Sequence, residues 1–418
     1  MSIIVQKYGG TSVGDAERIQ AVADRVVRYR EHGHDVVVVV SAMGHTTDEL
    51  LALAARIAPV PQPRELDMLL TAGERIAMSL LAIAVNARGC RAASYTGSQA
   101  GIITDTQHGK ARIVDVRPRR IVESLDAGNV VILAGFQGLS TSYDITTLGR
   151  GGSDTTAVAM AAALGAEACE IYTDVDGVYT SDPRVVPTAR KIARISYEEM
   201  LEMAASGAKV LQLRSVEYAR RHGVRVHVRS SFDESDGTWV VEEDEAKGGA
   251  DVEQAMISGV ALDTGEAKVT LLDVPDRPGV AATIFRAVAA EGVHVDMIVQ
   301  NVGHDGQTDL SFTVPRDDLP RLTPVLDRVV KEIGAPEYTT DDGIAKVSLV
   351  GAGMRSNPGV VAEMFEALAQ KGINIEMIST SSIRVSCIVR RADAEEAVRT
   401  IHDRFDVGTA PSAAGVEA

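Results

Sequence analysis

IIVQKYGGTSVGDAERIQ, residues 3–20, opens the chain with a short apolar strand, a lysine, a glycine pair and a Thr-Ser step into an amphipathic helix. Strand, glycine-rich loop and helix in that order make an anion cradle, where backbone N–H groups and a helix N-terminus face a phosphate. The spacing fits neither common phosphate fingerprint. A Walker A loop places its lysine after the glycines, whereas Lys7 precedes Gly9 and Gly10, and a dinucleotide loop needs GxGxxG.

The same alternation continues through the first half. Short Val/Ile-rich strands are predicted at residues 3–6, 36–40, 130–134 and 170–173, with helices at 15–30, 47–58, 72–87 and 154–163. Continuous apolar strands between amphipathic helices predict a parallel or mixed sheet covered on both faces. Ligands of such sheets bind at the carboxyl ends of the strands, so the loops after Gln6, Val40, Ala134 and Thr173 are the candidate site.

Composition narrows the ligand. A chain of 418 residues is long for one domain and predicts two or three. Its net charge of -16 disfavours nucleic acid and anionic membranes as partners, leaving small metabolites. Cys90, Cys169 and Cys387 are too dispersed for a CxxC pair, and the nine histidines include no HExxH spacing. The N-terminus has no apolar signal region and the longest apolar run, 36–40, is too short for a bilayer, so a cytoplasmic protein is expected.

Near residue 230 the texture changes. Residues 231–257 are acidic and glycine-rich and read as a linker with one strand at 238–241. Beyond it the chain repeats. RPGVAATIFRAVAAEGVHVDMI (277–298) aligns without a gap to NPGVVAEMFEALAQKGINIEMI (357–378), with about half the positions identical, and KVTLL at Lys268 matches KVSLV at Lys346. Each copy reads strand, Pro-Gly turn, helix, glycine, strand, and a further strand after a polar loop. This predicts a small α+β unit twice, at 258–340 and 341–418.

The repeat resembles the ACT domain, a regulatory module that binds amino acids where two copies meet. The first half, residues 1–230, resembles the amino acid kinase family in its aspartate-phosphorylating branch. The motifs that carry the resemblance are KYGGTSV from Lys7, VSAMGHTTDELL from Val40, TAGERI from Thr71, GFQG from Gly135, TLGRGGSDTTA from Thr147, YTDVDGVYTSDPR from Tyr172 and ASGAKVLQLRSVEYA from Ala205. No single motif decides; their order, spacing and the tandem ACT copies together are specific. The implied architecture is α/β: an amino acid kinase fold, with a mixed, mainly parallel sheet sandwiched by helices, followed by two α+β ACT domains.

The implied reaction moves the γ-phosphoryl group of ATP to the side-chain carboxylate of L-aspartate, giving 4-phospho-L-aspartate, the first step towards lysine, threonine, methionine and diaminopimelate. A carboxylate is already a nucleophile, so the site needs cations, oriented N–H groups and Mg²⁺ rather than a strong base. By resemblance Lys7, Asp154 and Lys209 are catalytic, and Gly9, Gly10, Ser41, Thr173, Asp174, Tyr179 and Arg184 join Lys7 and Lys209 around ATP. Thr47, Glu74, Phe136, Arg150, Gly151, Gly152, Ser153 and Asp154 would hold aspartate, Arg150 as a bidentate carboxylate clamp and Glu74 as the partner of the α-ammonium. Taken singly, Lys7 is a solvated lysine at a strand end, Asp154 an N-cap and Glu74 a first-turn helix acid. No metal site from the protein alone is implied; Mg²⁺ would come with ATP.

The resemblance also implies lysine and/or threonine as effectors at the Asp276-Pro278-Gly279 turn and its counterpart Asn357-Pro358-Gly359. Candidate contacts are Asp276, Val293, His294, Val295, Asp296 and Gln300, with Asn374 and Ile375 from the second copy. Two residues depart from the family pattern: His45, where relatives often carry an acid, and Gly303, where they tend to carry serine, which bears on lysine sensitivity. A homo-oligomer through the ACT sheets is implied, and Met256 could start a shorter second subunit. The competing readings are a kinase of the same fold acting on glutamate, acetylglutamate or a nucleoside monophosphate, and an amino-acid sensor with a degenerate kinase half.

Overall fold

The computed structural model describes residues 2–246, 257–301, 303, 306–355, 357 and 359–407, which divide between two units. The first unit takes residues 2–178, 191–204 and 209–246, the second 179–190, 205–208 and 257 onwards. Met256, Pro358 and His304 lie outside the described residues.

The first unit begins β1 (Ile3–Tyr8), α1 (Ala16–Glu31), β2 (Asp35–Val40), α2 (Thr46–Ile57) and α3 (Pro63–Ala87). There follow β3 (Ala92–Tyr95), β4 (Ile102–Thr104), β5 (Ile113–Val116), α4 (Arg119–Asp126), β6 (Val130–Ala134), β7 (Gln137–Ser140), β8 (Ile145–Thr147) and α5 (Gly152–Leu164). The unit closes with β9 (Ala168–Thr173), β10 (Arg194–Ser196), α6 (Tyr197–Ala205), α7 (Leu213–His222), β11 (Val226–Ser230), β12 (Thr238–Val241) and α8 (Glu243–Ala246). Eight strands form the main sheet in the order β10-β12-β11-β9-β1-β2-β6-β3, parallel except for the β11/β12 pair. Strands β4, β5, β7 and β8 make a smaller sheet that the sequence reading lacks.

Local chemistry accounts for most of these elements. β-Branched runs with no polar alternation suit a strand covered on both faces, and residues 36–40 and 130–134 are wholly buried. Asp15 caps α1 by accepting from the Arg18 N–H at 2.8 Å, and Ile19, Val22, Ala23 and Val26 turn inward. α5 is built of Thr, Ala, Val and Met, is buried from Gly152 to Ala161, and its small side chains let it lie close to β1, β2 and β9. It stops at Gly165 in the left-handed conformation.

Three expectations need correction. α3 starts at Pro63, not at 72, because a proline suits the first helical turn and Asp67 and Leu70 already continue the inner stripe. α3 is also long and apolar enough to cross a bilayer by length and composition, although polar residues interrupt its apolar runs; half of its most apolar window is buried within the fold. The kinase sheet does not end at 230, since β12 pairs with β10 and β11, so residues 238–241 belong to it and not to a linker.

The second unit holds the repeat: β13 (Gly259–Asp263), β14 (Glu266–Pro275), α9 (Val280–Ala290), β15 (Ile298–Gln300), β16 (Gln307–Pro315), α10 (Leu319–Ile333) and β17 (Glu337–Asp341). The second copy supplies β18 (Ile344–Val350), α11 (Gly359–Gln370), β19 (Met377–Thr380), β20 (Arg384–Arg390) and α12 (Ala394–Arg404). The sheets run β15-β16-β14-β17 and β13-β18-β20-β19, antiparallel throughout. The position that β17 fills beside β14 is filled beside β18 by β13, which precedes the first repeat. The first module therefore does not begin at 258: it is inserted into the second, whose edge strand is residues 259–263.

Candidate active site

The four loops singled out from the sequence follow β9, β1, β2 and β6, which are consecutive neighbours in the main sheet. The chain leaves β1 towards β2 on one side and returns to β9 on the other, so the site lies where the strand order reverses.

Lys7 is the penultimate residue of β1, with its side chain on the face opposite Gln6 and Tyr8. Its ammonium meets the Asp154 carboxylate at 2.6 Å, with both side chains about one-tenth exposed (12% and 9%). Asp154 is therefore not an N-cap. α5 begins at Gly152, Gly151 stands at the cap with φ 71°, and Asp154 is the third helical residue, aimed at Lys7. The pair joins β1 to the N-terminus of the buried helix, where the dipole favours negative charge.

The glycines have steric work to do. A Cβ on Gly10 would lie 2.9 Å from the Ala42 carbonyl oxygen, and the Gly10 oxygen accepts from the Gly44 N–H at 3.0 Å. The Gly9 N–H donates to Tyr172 O at 3.3 Å, tying the cradle to the end of β9, next to Thr173 and Asp174. On the other side a Cβ on Gly135 would stand 2.7 Å from the Ser153 hydroxyl. Phe136 adopts φ 67° and Leu148 N–H donates to its carbonyl, which closes the loop after β6 onto the glycine loop of residues 149–152.

Glu74 lies in the middle of α3, not in a first turn. One carboxylate oxygen accepts the Ala42 N–H at 3.1 Å; the other is buried without a partner. Burial pushes the carboxyl up to about 7, against the backbone hydrogen bonds that hold it down. An orphaned buried carboxylate oxygen beside the loop after β2 is a receptor for a cation. Arg150, on the loop before α5, is exposed, while Ser153 is buried next to Asp154.

Other expected residues are distributed differently. Ser41, Thr47 and Thr173 are half-buried, Asp174 and Lys209 exposed, all in the first unit. Tyr179 and Arg184 belong to the second unit, in the segment 179–190, where Val186 joins the core of the second ACT copy and the Thr180 hydroxyl lies 3.0 Å from His402 Nε2. His45 is exposed and 3.8 Å from Asp48. Among the described residues no three His, Cys, Asp or Glu side chains are placed to hold a metal.

Sequence reasoning missed the support behind the cradle. On the opposite face of β1 and β9 the Tyr8 and Tyr172 rings stack at 4.7 Å, and buried Glu170 accepts from Gln6 (2.9 Å), Tyr29 (2.7 Å) and Tyr172 (3.1 Å). Burial raises both stacked hydroxyls far above the usual tyrosine range, so they remain neutral donors. The period-two alternation of QKY and EIY was the available signal.

In the second unit a cavity of about 300 Å³ is lined by Asp276, Arg277, Pro278, Gly279, Ala281 and Gln300, at the turn into α9. The remaining expected effector contacts do not share it. Val293 is a core residue of the first copy, Val295 and Ile375 pack against the two cores, and His294 and Asn374 are exposed. Asp296 is engaged by the buried Lys346 ammonium.

A mainly parallel sheet with a lysine–aspartate pair and glycine loops at its strand ends, followed by paired α+β modules, defines a phosphotransferase of the amino acid kinase class. Residues 2–230 match the amino acid kinase family, and residues 268–333 and 347–405 each match the ACT domain. The chain is 56% identical over 414 residues to the aspartokinase of Mycolicibacterium smegmatis (98% of this chain, 97% of that one) and 54% identical over 411 residues to that of Corynebacterium glutamicum (98% and 97%). Among solved structures, E. coli aspartokinase III in complex with aspartate and ADP superposes with a TM-score of 0.82 at 27% identity, covering 97% of this chain and all (100%) of that one. The same enzyme in complex with lysine and aspartate gives 0.73 at 28% identity, covering 96% and 99%. The chain belongs to the aspartokinase family.

Proposed function

We propose that the chain transfers the γ-phosphoryl group of ATP to the side-chain carboxylate of L-aspartate. The observation that carries this reading is Glu74: a buried carboxylate whose free oxygen awaits a cation, set in the same strand-end site as Lys7 and Asp154. An α-amino acid is the acceptor whose ammonium meets that need, with Arg150 and the N–H groups of Gly151 and Ser153 left for its carboxylates, the Gly152 N–H being taken by Gly149 O at 2.9 Å. The structure of E. coli aspartokinase III with aspartate and ADP supports the same pairing of acceptor and nucleotide.

In this reading an aspartate side-chain oxygen attacks the γ-phosphorus in line, forming a new P–O bond as the bond to the β,γ-bridging oxygen breaks and ADP leaves. Lys7, held by Asp154, neutralises charge on the phosphoryl group in flight, and Lys209 supplies a second cation. Gly9, Gly10, Ser41, Thr173 and Asp174 form the nucleotide side; Thr47 and Phe136 shape the acceptor side. Mg²⁺ would be carried in by the triphosphate.

The cavity at Asp276 and Gln300 is the proposed effector site, for lysine, threonine or both; the complex of E. coli aspartokinase III with lysine supports that class of ligand. Edge strands β15 and β19 expose Ile298 (51%) and Ile378 (44%), which favours association of ACT sheets into a homo-oligomer, with or without a shorter subunit started at Met256. The reading places the enzyme in the cytoplasm, at the entry to lysine, threonine, methionine and diaminopimelate synthesis.

The test is aspartate-dependent ADP formation from ATP, with glutamate and acetylglutamate as alternative acceptors, and lysine and threonine added singly and together. Turnover with aspartate and loss of activity with at least one effector are expected. No turnover with aspartate would sink the reading; turnover indifferent to both effectors would remove the regulatory half alone.

A further inference from the structure

The acceptor loop is clasped by a side chain with no assigned role. Arg214, the second residue of α7, donates from Nη1 to Leu148 O at 2.7 Å and from Nη2 to Ala111 O at 3.0 Å. Leu148 N–H is already bonded to Phe136 O, so both polar groups of Leu148 are fixed. Two residues before Arg214, the Gln212 side chain occupies the space beside Gly151, where a Cβ would lie 1.9 Å from Gln212 Cγ. The start of α7 therefore grips the loop at 148 and at 151, on either side of Arg150.

The opposite flank is fixed by Asp67 of α3, which is almost completely buried. It accepts from the Thr147 hydroxyl at 2.5 Å and from the Gly109 N–H at 3.1 Å, and lies 2.7 Å from His108 Nδ1. Residues 147–149 are thus pinned against 108–111 by Asp67 on one side and Arg214 on the other. None of these bonds reaches β1 or β9, which carry the nucleotide side.

We infer that Arg214 is a positioning residue for the acceptor half of the reaction: its guanidinium holds Leu148 and Ala111 so that Arg150 and the N–H groups of Gly151 and Ser153 are presented to the carboxylate. The inference rests on the reading of this loop as the aspartate site. Arginine suits the task because its planar fork spans two carbonyl oxygens at fixed separation, which a lysine ammonium cannot reproduce. Burial draws the guanidinium below its ordinary range, and its two hydrogen-bond partners are neutral carbonyls. A surface charge placed for solubility would have neither feature.

The test uses the full chain with Arg214→Met, Arg214→Lys and Thr147→Val, varying aspartate and ATP in turn. Arg214→Met should raise KM for aspartate roughly tenfold while KM for ATP moves less than about twofold, as loss of two charge-assisted hydrogen bonds in one half of the site predicts. Arg214→Lys should fall between, and Thr147→Val, which cuts the opposite flank, should give the same aspartate-only signature. Unchanged constants in all three, or KM for aspartate and ATP rising together, would overturn the positioning role. If Arg214→Met fails to fold, the other two variants decide by the same criterion. An unaltered enzyme that turns over no aspartate would instead remove the reading of the loop itself.

Discussion

At the scale of single residues the site joins one fixed cation to one uncompensated anion. Lys7 is held at 2.6 Å by Asp154; in the proposed reaction Lys7→Ala would remove an oriented charge from the transferring phosphoryl, and kcat should fall by about 10²–10³, with the fold intact by circular dichroism. Glu74 gives a pH prediction. Its free carboxyl titrates near 7 because burial disfavours the charge, and only the carboxylate can take an ammonium. kcat/KM for aspartate should therefore drop about tenfold per pH unit below 7 and level off above it, whereas Glu74→Gln should weaken aspartate binding at all pH values and flatten the profile. A profile through pH 7 identical in wild type and Glu74→Gln would exclude Glu74 as the titrating group. Lys7, Gly9 and Gly10 could be read from sequence because a strand, a lysine and a glycine pair are local. The Asp154 pairing has no local signal, since it spans the chain from β1 to α5; local rules cast Asp154 and Glu74 as ordinary helix-start acids, and only the family resemblance brings them to the site.

At the scale of elements, the loop between β8 and α5 works because its glycines have no side chains. Gly151 combines φ 71° with a Cβ position already filled by Gln212, so Gly151→Ala forces both a left-handed alanine and displacement of that side chain. The expected loss is about 1–3 kcal/mol in urea unfolding, with aspartate turnover reduced further than stability alone accounts for. By contrast, Gly165→Ala shares a positive φ but has open space, and should lower stability alone. The central strands announce themselves through unbroken valine runs, α1 through its Asp15 cap and periodicity, and α5 through its run of small residues between flanking glycines. Strands β4, β5, β7 and β8, of three or four residues, carry too little pattern to register. The placement of β13 beside β18 is a choice of partner, which hydrophobic pattern does not encode.

At the scale of the whole repeat unit, the two copies are locked to each other by reciprocal charges. Lys268 of the first copy pairs with Glu376 of the second, and Lys346 of the second with Asp296 of the first. The sequence showed the repeat, yet each of these residues looks solvated when read alone; only their exchange between copies explains them. The two pairs are not equal. Lys346 is fully buried, also bonds Glu266 at 2.8 Å and donates to Ala205 O at 3.2 Å, while around it Met297, Ile344, Met377 and Ile388 form an apolar cluster shared by the copies. Burial opposes the Lys346 charge, but Glu266 and Asp296 outweigh it and raise its pKa; burial likewise opposes the Asp296 charge, but Lys346 outweighs it and lowers its pKa. The Asp296 contribution to stability is therefore present above the ordinary aspartate range and lost as pH falls through its depressed folded value. That of Lys346 is present below the ordinary lysine range and lost as pH rises through its elevated one. Between them, near neutrality, the cluster should give wild-type stability little pH dependence. Lys346→Met removes the cation shared by buried Glu266 and half-buried Asp296, leaving Arg384 as the remaining positive charge acting on Asp296, and should destabilise this unit by about 3 kcal/mol at pH 7.5. With the cation gone, protonation relieves the burial, so urea unfolding of Lys346→Met should show stability recovering between pH 7.5 and 5.5, opposite in sign to any acid loss in wild type. Parallel pH dependence in the two proteins would refute the lock. The same argument takes Asp296 away from effector binding: Asp296→Asn should weaken the unit without selectively changing inhibition, because its carboxylate is already committed to Lys346.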